Sequence, residues 1–119
     1  MAKVLVVDDA AFMRMRCSKL LIDSGYEVFE AANGAEALEK YQQCRPDVVL
    51  LDITMPKMDG IVTLGEIMKI DPTAKVAMVT AMGQRSMVIS ALKAGARDFV
   101  VKPFDQTRVL NAVQKLACA

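Results

Sequence analysis

The amino-acid sequence predicts an α/β fold: a single doubly wound, five-stranded parallel sheet with five helices. Two observations carry that expectation. Short apolar, β-branched runs alternate five times with longer segments of helical period. Three of those runs are almost continuously apolar, as strands covered on both faces should be, and parallel strands need crossover connections of helical length.

The strands are expected at Lys3–Val7, Glu27–Ala31, Asp47–Leu51, Lys75–Val79 and Asp98–Val101. The second, EVFEA, alternates polar and apolar residues, which suits an edge strand. The first helix, Ala11–Ser24, places Met13, Cys17, Leu20 and Leu21 on one face, leaves Arg14 and Lys19 elsewhere, and stops at Gly25. The second, Ala35–Cys44, follows an Asn33-Gly34 turn and ends before Pro46. A third, Gly60–Ile70, presents Ile61, Leu64, Ile67 and Met68 and ends before Pro72. Gln84–Ala94 presents Val88, Ala91 and Leu92 and closes at Gly95. The last, Gln106–Ala117, has Asp105 as N-cap, with Val109, Leu110, Val113 and Leu116 inward. Right-handed crossovers leave few five-strand topologies, of which the flavodoxin-like order 2-1-3-4-5 is the familiar one. Five units are too few to close a (βα)8 barrel. They use all 119 residues, so one domain, 1–119, is expected.

Composition narrows the chemistry. The chain has no histidine, which excludes Ser-His and Cys-His catalysis, histidine-ligated metals and any phosphohistidine role. Fifteen Lys and Arg against fourteen Asp and Glu give a net charge of +1, with no field to attract nucleic acid or an anionic membrane. The three cysteines, Cys17, Cys44 and Cys118, lack pairing logic and suit buried or half-buried thiols in a reducing compartment. No apolar run approaches the ~18 residues that span a bilayer. A soluble, cytoplasmic protein is expected.

In an open doubly wound sheet, ligands bind at the carboxyl ends of the strands, at the switch point. The first strand runs into Asp8-Asp9, the third into Asp52, the fourth into Thr80 and the fifth into Lys102-Pro103. The second releases only Ala32-Asn33-Gly34, as an edge strand away from the site would. Order 2-1-3 makes the first and third strands neighbours, so three carboxylates converge on one crevice. Their repulsion calls for a hard divalent cation or a fixed positive charge, and carboxylates without His or Cys select Mg2+, Mn2+ or Ca2+. One Asp at a strand end is commonly only a helix cap, but four strand ends aimed at one crevice are not.

Asp8-Asp9, Asp52 with Met55-Pro56-x-x-Asp59-Gly60, Thr80-Ala81 and Lys102-Pro103-Phe104 together resemble the signature of bacterial two-component receiver domains, over essentially the whole chain. Within that family, Ala10-Ala11-Phe12-Met13-Arg14, the Asp52–Pro56 loop and Ala81-Met82-Gly83-Gln84 are similar to CheY-type chemotaxis regulators. The resemblance implies a stand-alone, monomeric response regulator that is a phosphoacceptor switch and not an enzyme. Asp52 would accept a phosphoryl group from a histidine kinase of the chemotaxis type. Asp8, Asp9, Asp52 and the backbone carbonyl of Thr54 would hold Mg2+, with Mn2+ or Ca2+ able to substitute. Lys102 and Thr80 would contact phosphoryl oxygens, and Thr80 with Phe99 would pass the change to the face of the fourth helix, fifth strand and fifth helix. The implied target is a flagellar motor switch protein.

A phosphorelay intermediate is the nearest alternative. A metal-dependent phosphatase using a strand-end Asp fits less well, because the second acid such enzymes place two residues on is here Thr54. In a flavodoxin-like electron carrier, the two aspartates after the first strand would repel the FMN phosphate.

Overall fold

The computed structural model of the chain describes residues 2–53, 60–80, 85–102 and 106–118. The elements alternate as expected: β1 (Lys3–Val7), α1 (Ala11–Asp23), β2 (Glu27–Ala31), α2 (Gly34–Cys44), β3 (Val48–Asp52), α3 (Gly60–Ile70), β4 (Val76–Thr80), α4 (Arg85–Ala94), β5 (Asp98–Val101) and α5 (Gln106–Ala117). All strand pairs are parallel, in the order β2-β1-β3-β4-β5.

Strand periodicity divides the core into two layers. Leu5, Val7, Val49, Leu51, Val76 and Met78 point to one face, where Ala37 and Tyr41 of α2, Leu64 and Ile67 of α3 and Ala91 of α4 cover them. Val4, Val6, Val48, Leu50, Ala77 and Val79 point to the other, beneath Leu21 of α1 and Val109, Ala112, Val113 and Leu116 of α5. Three helices on one face and two on the other leave β3 and β4 buried at every residue. β2 is the more exposed edge, as its alternating sequence requires.

The boundaries differ from the sequence expectation in ways the local bonding explains. α1 stops at Asp23, because the Ser24 hydroxyl donates to the Leu20 carbonyl at 3.0 Å and Gly25 turns left-handed with φ 96°. α2 starts one residue early, at Gly34, since the Asn33 side chain accepts the Glu36 amide at 2.9 Å and caps it. β3 and β4 begin and end one residue late, which brings Asp52 and Thr80 inside their strands. Leu92 is 49 % exposed and does not face inward; α4 buries only Ala91. Leu110 is half-buried, and Cys118 is exposed where a partly buried thiol was expected. Gln84 and the expected N-cap Asp105 lie outside the described residues. Among the described residues, no helix is long and apolar enough to cross a membrane.

Candidate functional site

The parallel ladder sets the site. Val7 pairs with Leu51, Asp52 with Val79 and Thr80 with Val101, so the carboxyl ends of β1, β3, β4 and β5 finish nearly flush. Whatever follows these strands is delivered to one edge of the sheet.

Asp8 is the first residue beyond β1 and is 6 % exposed. Each of its polar groups is engaged. Its amide donates to the Ala31 carbonyl at 3.1 Å, continuing the β1–β2 ladder. Oδ1 accepts the Ala10 amide at 2.9 Å, and Oδ2 accepts from Lys102 Nζ at 3.0 Å. The Asp8 carbonyl accepts from Arg14 Nη1 at 2.7 Å. Asp52, the last residue of β3, is equally buried, and its Oδ2 lies 3.9 Å from Lys102 Nζ. Asp9 is exposed. One carboxylate oxygen from each of Asp8, Asp9 and Asp52 lies within 4.8 Å of the others.

This donor set is made of hard oxygens, without imidazole or thiolate, and its negative charge exceeds what one lysine offsets. It fits Mg2+, Mn2+ or Ca2+ and not a soft or borderline metal. Lys102 supplies the fixed positive charge, and its position is itself fixed: its amide donates to the Thr80 carbonyl at 2.7 Å. Thr80 is fully buried at the end of β4. Phe99 opposes Met78 across the sheet and is partly buried against the core layer that includes Ala91 and Met87 of α4. It is therefore neither a sealed core residue nor a free surface one. Thr54, Met55, Pro56, Asp59, Ala81, Met82, Pro103 and Phe104 lie outside the described residues, and the expected metal contact through the Thr54 carbonyl falls among them.

Gly60 opens α3 directly beneath the site. A Cβ there would meet the Asp52 carbonyl oxygen and lie 2.6 Å from the Ile53 Cα. Only glycine lets α3 start this close to the end of β3.

Three participants were not singled out from sequence. Arg14 reaches back to the Asp8 carbonyl while its Nε donates to Glu30 Oε1 at 3.1 Å. The edge strand β2 is thus part of the site, through Glu30 and the Ala31 carbonyl, where its sequence suggested distance. Cys17 lines a cavity of about 20 Å³ with Asp8, Leu50, Val79 and Lys102, room for about one water. Burial pushes its thiol up to about 11; Asp8 adds to the rise and Lys102 opposes it. An Arg in the first turn of the helix that follows the Asp pair was the available signal for Arg14, and nothing in the sequence marked Glu30 or Cys17 as part of the site.

Residues 4–114 match the response regulator receiver domain family. The chain is 57 % identical over 116 residues to the chemotaxis protein CheY of Thermotoga maritima, covering 97 % of each chain. It is 57 % identical over 114 residues to the chemotaxis protein CheY of Bacillus subtilis, covering 95 % of each. Among solved structures, the CheX–CheY–BeF3–Mg2+ complex from Borrelia burgdorferi holds a chain matched with a TM-score of 0.92 and 41 % identity, over 97 % of this chain and 88 % of that one.

Proposed function

Because the chain belongs to the response regulator receiver domain family and is of the CheY type, we propose that it is a chemotaxis switch whose Asp52 takes a phosphoryl group from a histidine kinase. The observation that carries this reading is the grouping of Asp52 with Asp8, Asp9 and Lys102: three converging carboxylates, with an ammonium 3.9 Å from the one at the end of β3.

In the transfer, a carboxylate oxygen of Asp52 attacks phosphorus and forms an acyl phosphate. The bond from phosphorus to the donor's imidazole nitrogen breaks, and its electron pair stays with that nitrogen. Asp8, Asp9, Asp52 and the Thr54 carbonyl would hold Mg2+, with Mn2+ or Ca2+ as substitutes. The bound cation supplies neutralisation of charge on the transferring oxygens. Lys102 exchanges its bond with Asp8 for one to a phosphoryl oxygen, and the Thr80 hydroxyl donates to another. Burial of Asp8 and Asp52 keeps bulk water from competing for these contacts.

The readout is the α4–β5–α5 face. Ile89 and Leu92 of α4 and Val101 of β5 expose 41 %, 49 % and 45 % of their surface, and Phe99 of β5 and Met87 of α4 both pack, partly buried, against the same core layer. Thr80, moving toward the phosphoryl oxygens, opens space into which Phe99 turns, and the apolar face changes shape. The CheX–CheY complex is a precedent for protein docking by a relative. We take the donor to be a chemotaxis-type kinase and the target a flagellar motor switch protein, with the chain acting in the cytoplasm as a monomeric receiver unit.

Acetyl phosphate with Mg2+ tests the chemistry: the parent chain is expected to take up one phosphoryl group and Asp52→Asn none. Stoichiometric labelling of Asp52→Asn would overturn the assignment. For the target, beryllofluoride with Mg2+ is expected to raise the affinity for a motor switch protein. Transfer to a second protein's histidine with no such gain would favour a phosphorelay role instead.

A further inference from the structure

We propose that Arg14 is a positioning residue for the acidic crevice, holding the turn that presents Asp8 and Asp9 and itself held by Glu30. The proposal rests on reading those two aspartates as the metal-side carboxylates.

The turn from β1 to α1 lacks the usual fastening. Ala10 occupies the N-cap position in an extended conformation, with no side chain to bond the first helical amides. Arg14 supplies the fastening from inside the helix. Its amide donates to the Ala10 carbonyl at 2.9 Å, and its Nη1 donates to the Asp8 carbonyl at 2.7 Å. The amide bond is the ordinary first bond of the helix, so what the Arg14 side chain adds is the bond from its guanidinium to the Asp8 carbonyl, at the start of the turn that contains Asp9.

The guanidinium is not left to swing. Its Nε donates to Glu30 Oε1 at 3.1 Å, and only 19 % of the Arg14 side chain is exposed. Glu30 precedes Ala31, whose carbonyl accepts the Asp8 amide at 3.1 Å. Asp8, Arg14, Glu30 and Ala31 therefore form a closed ring of bonds joining the turn to the edge strand. Arginine suits this place because its planar fork offers donors in two fixed directions, whereas a lysine ammonium would serve one acceptor well and lose the other.

Charge alone does not account for the arrangement. A guanidinium beside a cation site repels the cation, so on Coulombic grounds its removal should tighten Mg2+ binding. If Arg14 acts by position, its removal must do the reverse, because groups that orient metal ligands typically matter by 10-fold or more in affinity. The sign of the change separates the two roles.

The test compares the parent chain with Arg14→Gln and Arg14→Lys by Mg2+ titration, followed in 15N–1H spectra. Metal-free hydrogen exchange of the Ala10 amide, which donates to Asp8 Oδ1, gives a second readout. The expected result is Mg2+ binding about tenfold weaker in Arg14→Gln and weakened in Arg14→Lys despite the retained charge. Ala10 should exchange faster in both, with the Val100 amide of β5 unaffected. Arg14→Gln binding Mg2+ as tightly as the parent, or more tightly, would overturn the proposal, as would unchanged Ala10 exchange. If Arg14→Gln does not fold, Arg14→Lys decides by the same two measurements. A parent chain that binds no Mg2+ would instead defeat the reading of the crevice, and Ala10 exchange alone would then judge Arg14.

Discussion

Gly60 donates its backbone amide to the carbonyl of Ile53 across 2.7 Å, tying the first residue of α3 to the residue that follows Asp52. The contact is backbone on backbone, and a methyl at Gly60 would strike the Asp52 carbonyl and the Ile53 Cα. Neither atom can swing aside as a side chain does. Gly60→Ala is expected to cost about 3 kcal/mol in urea unfolding, at the upper end of overpacking penalties. A loss below about 0.5 kcal/mol would mean that α3 shifts without strain.

Lys102 is the ammonium that Asp8 and Asp52 share, at 3.0 and 3.9 Å. Replacing it with Met removes that ammonium from two buried carboxylates that lie close to Asp9. In metal-free buffer Lys102→Met should lose about 3 kcal/mol of stability, as when one partner of a buried pair is deleted. Added Mg2+ should recover part of that loss. Equal stability of parent and variant without metal would contradict this account.

Cys17 ionises only at about 11, because of burial first and the neighbouring Asp8 second. Since thiolates and not thiols are alkylated, iodoacetamide at pH 8 is expected to label exposed Cys118 well before Cys17. Asp8→Asn removes the second cause and should speed labelling of Cys17. Peptide mass mapping over time reads both effects, and simultaneous labelling of the two cysteines would refute the prediction.

Tyr41 is almost fully buried on α2, and its hydroxyl donates to Asp71 Oδ2 at 2.9 Å. Burial foremost, then that bond, pushes the phenol up to about 12 from an ordinary 10. The folded state therefore keeps a proton that the unfolded state releases. This contribution is whole below pH 10 and is lost as pH rises through about 12. Absorbance at 295 nm should show a late phenol step that is absent from Tyr41→Phe. The parent's stability should fall more steeply than the variant's above pH 10. At pH 7 Tyr41→Phe should lose about 1 kcal/mol for the missing bond.

Much of this was legible in the sequence because it lies along single elements. Strand runs such as Val48–Leu51 announce burial on both faces, and the strand-end positions of Asp8, Asp52, Thr80 and Lys102 follow from chain order. Periodicity was silent about bonds made through space. Arg14 counts as one more charge on a helix, and only the fold shows it bent back onto Asp8 and braced by Glu30. Leu92 fails in the opposite sense. Its spacing matches a buried stripe, yet α4 settles on the small Ala91 and leaves Leu92 outside. A helix wheel locates an apolar stripe but does not say whether sheet or solvent meets it.

The Lys102–Asp8 ion pair joins residues 94 positions apart in a chain of 119. During synthesis, a ribosome would release all three aspartates of the crevice long before the lysine that pairs with two of them. The contact needs β5 in place beside β4, because the Lys102 amide is itself bonded to the Thr80 carbonyl. A half-made chain holds carboxylates that repel and nothing to gather them, and any cation bound by the finished crevice favours only the finished fold. The charge arrangement of the site is thus set by its last contributor in sequence, and it exists only after Lys102 has joined the sheet.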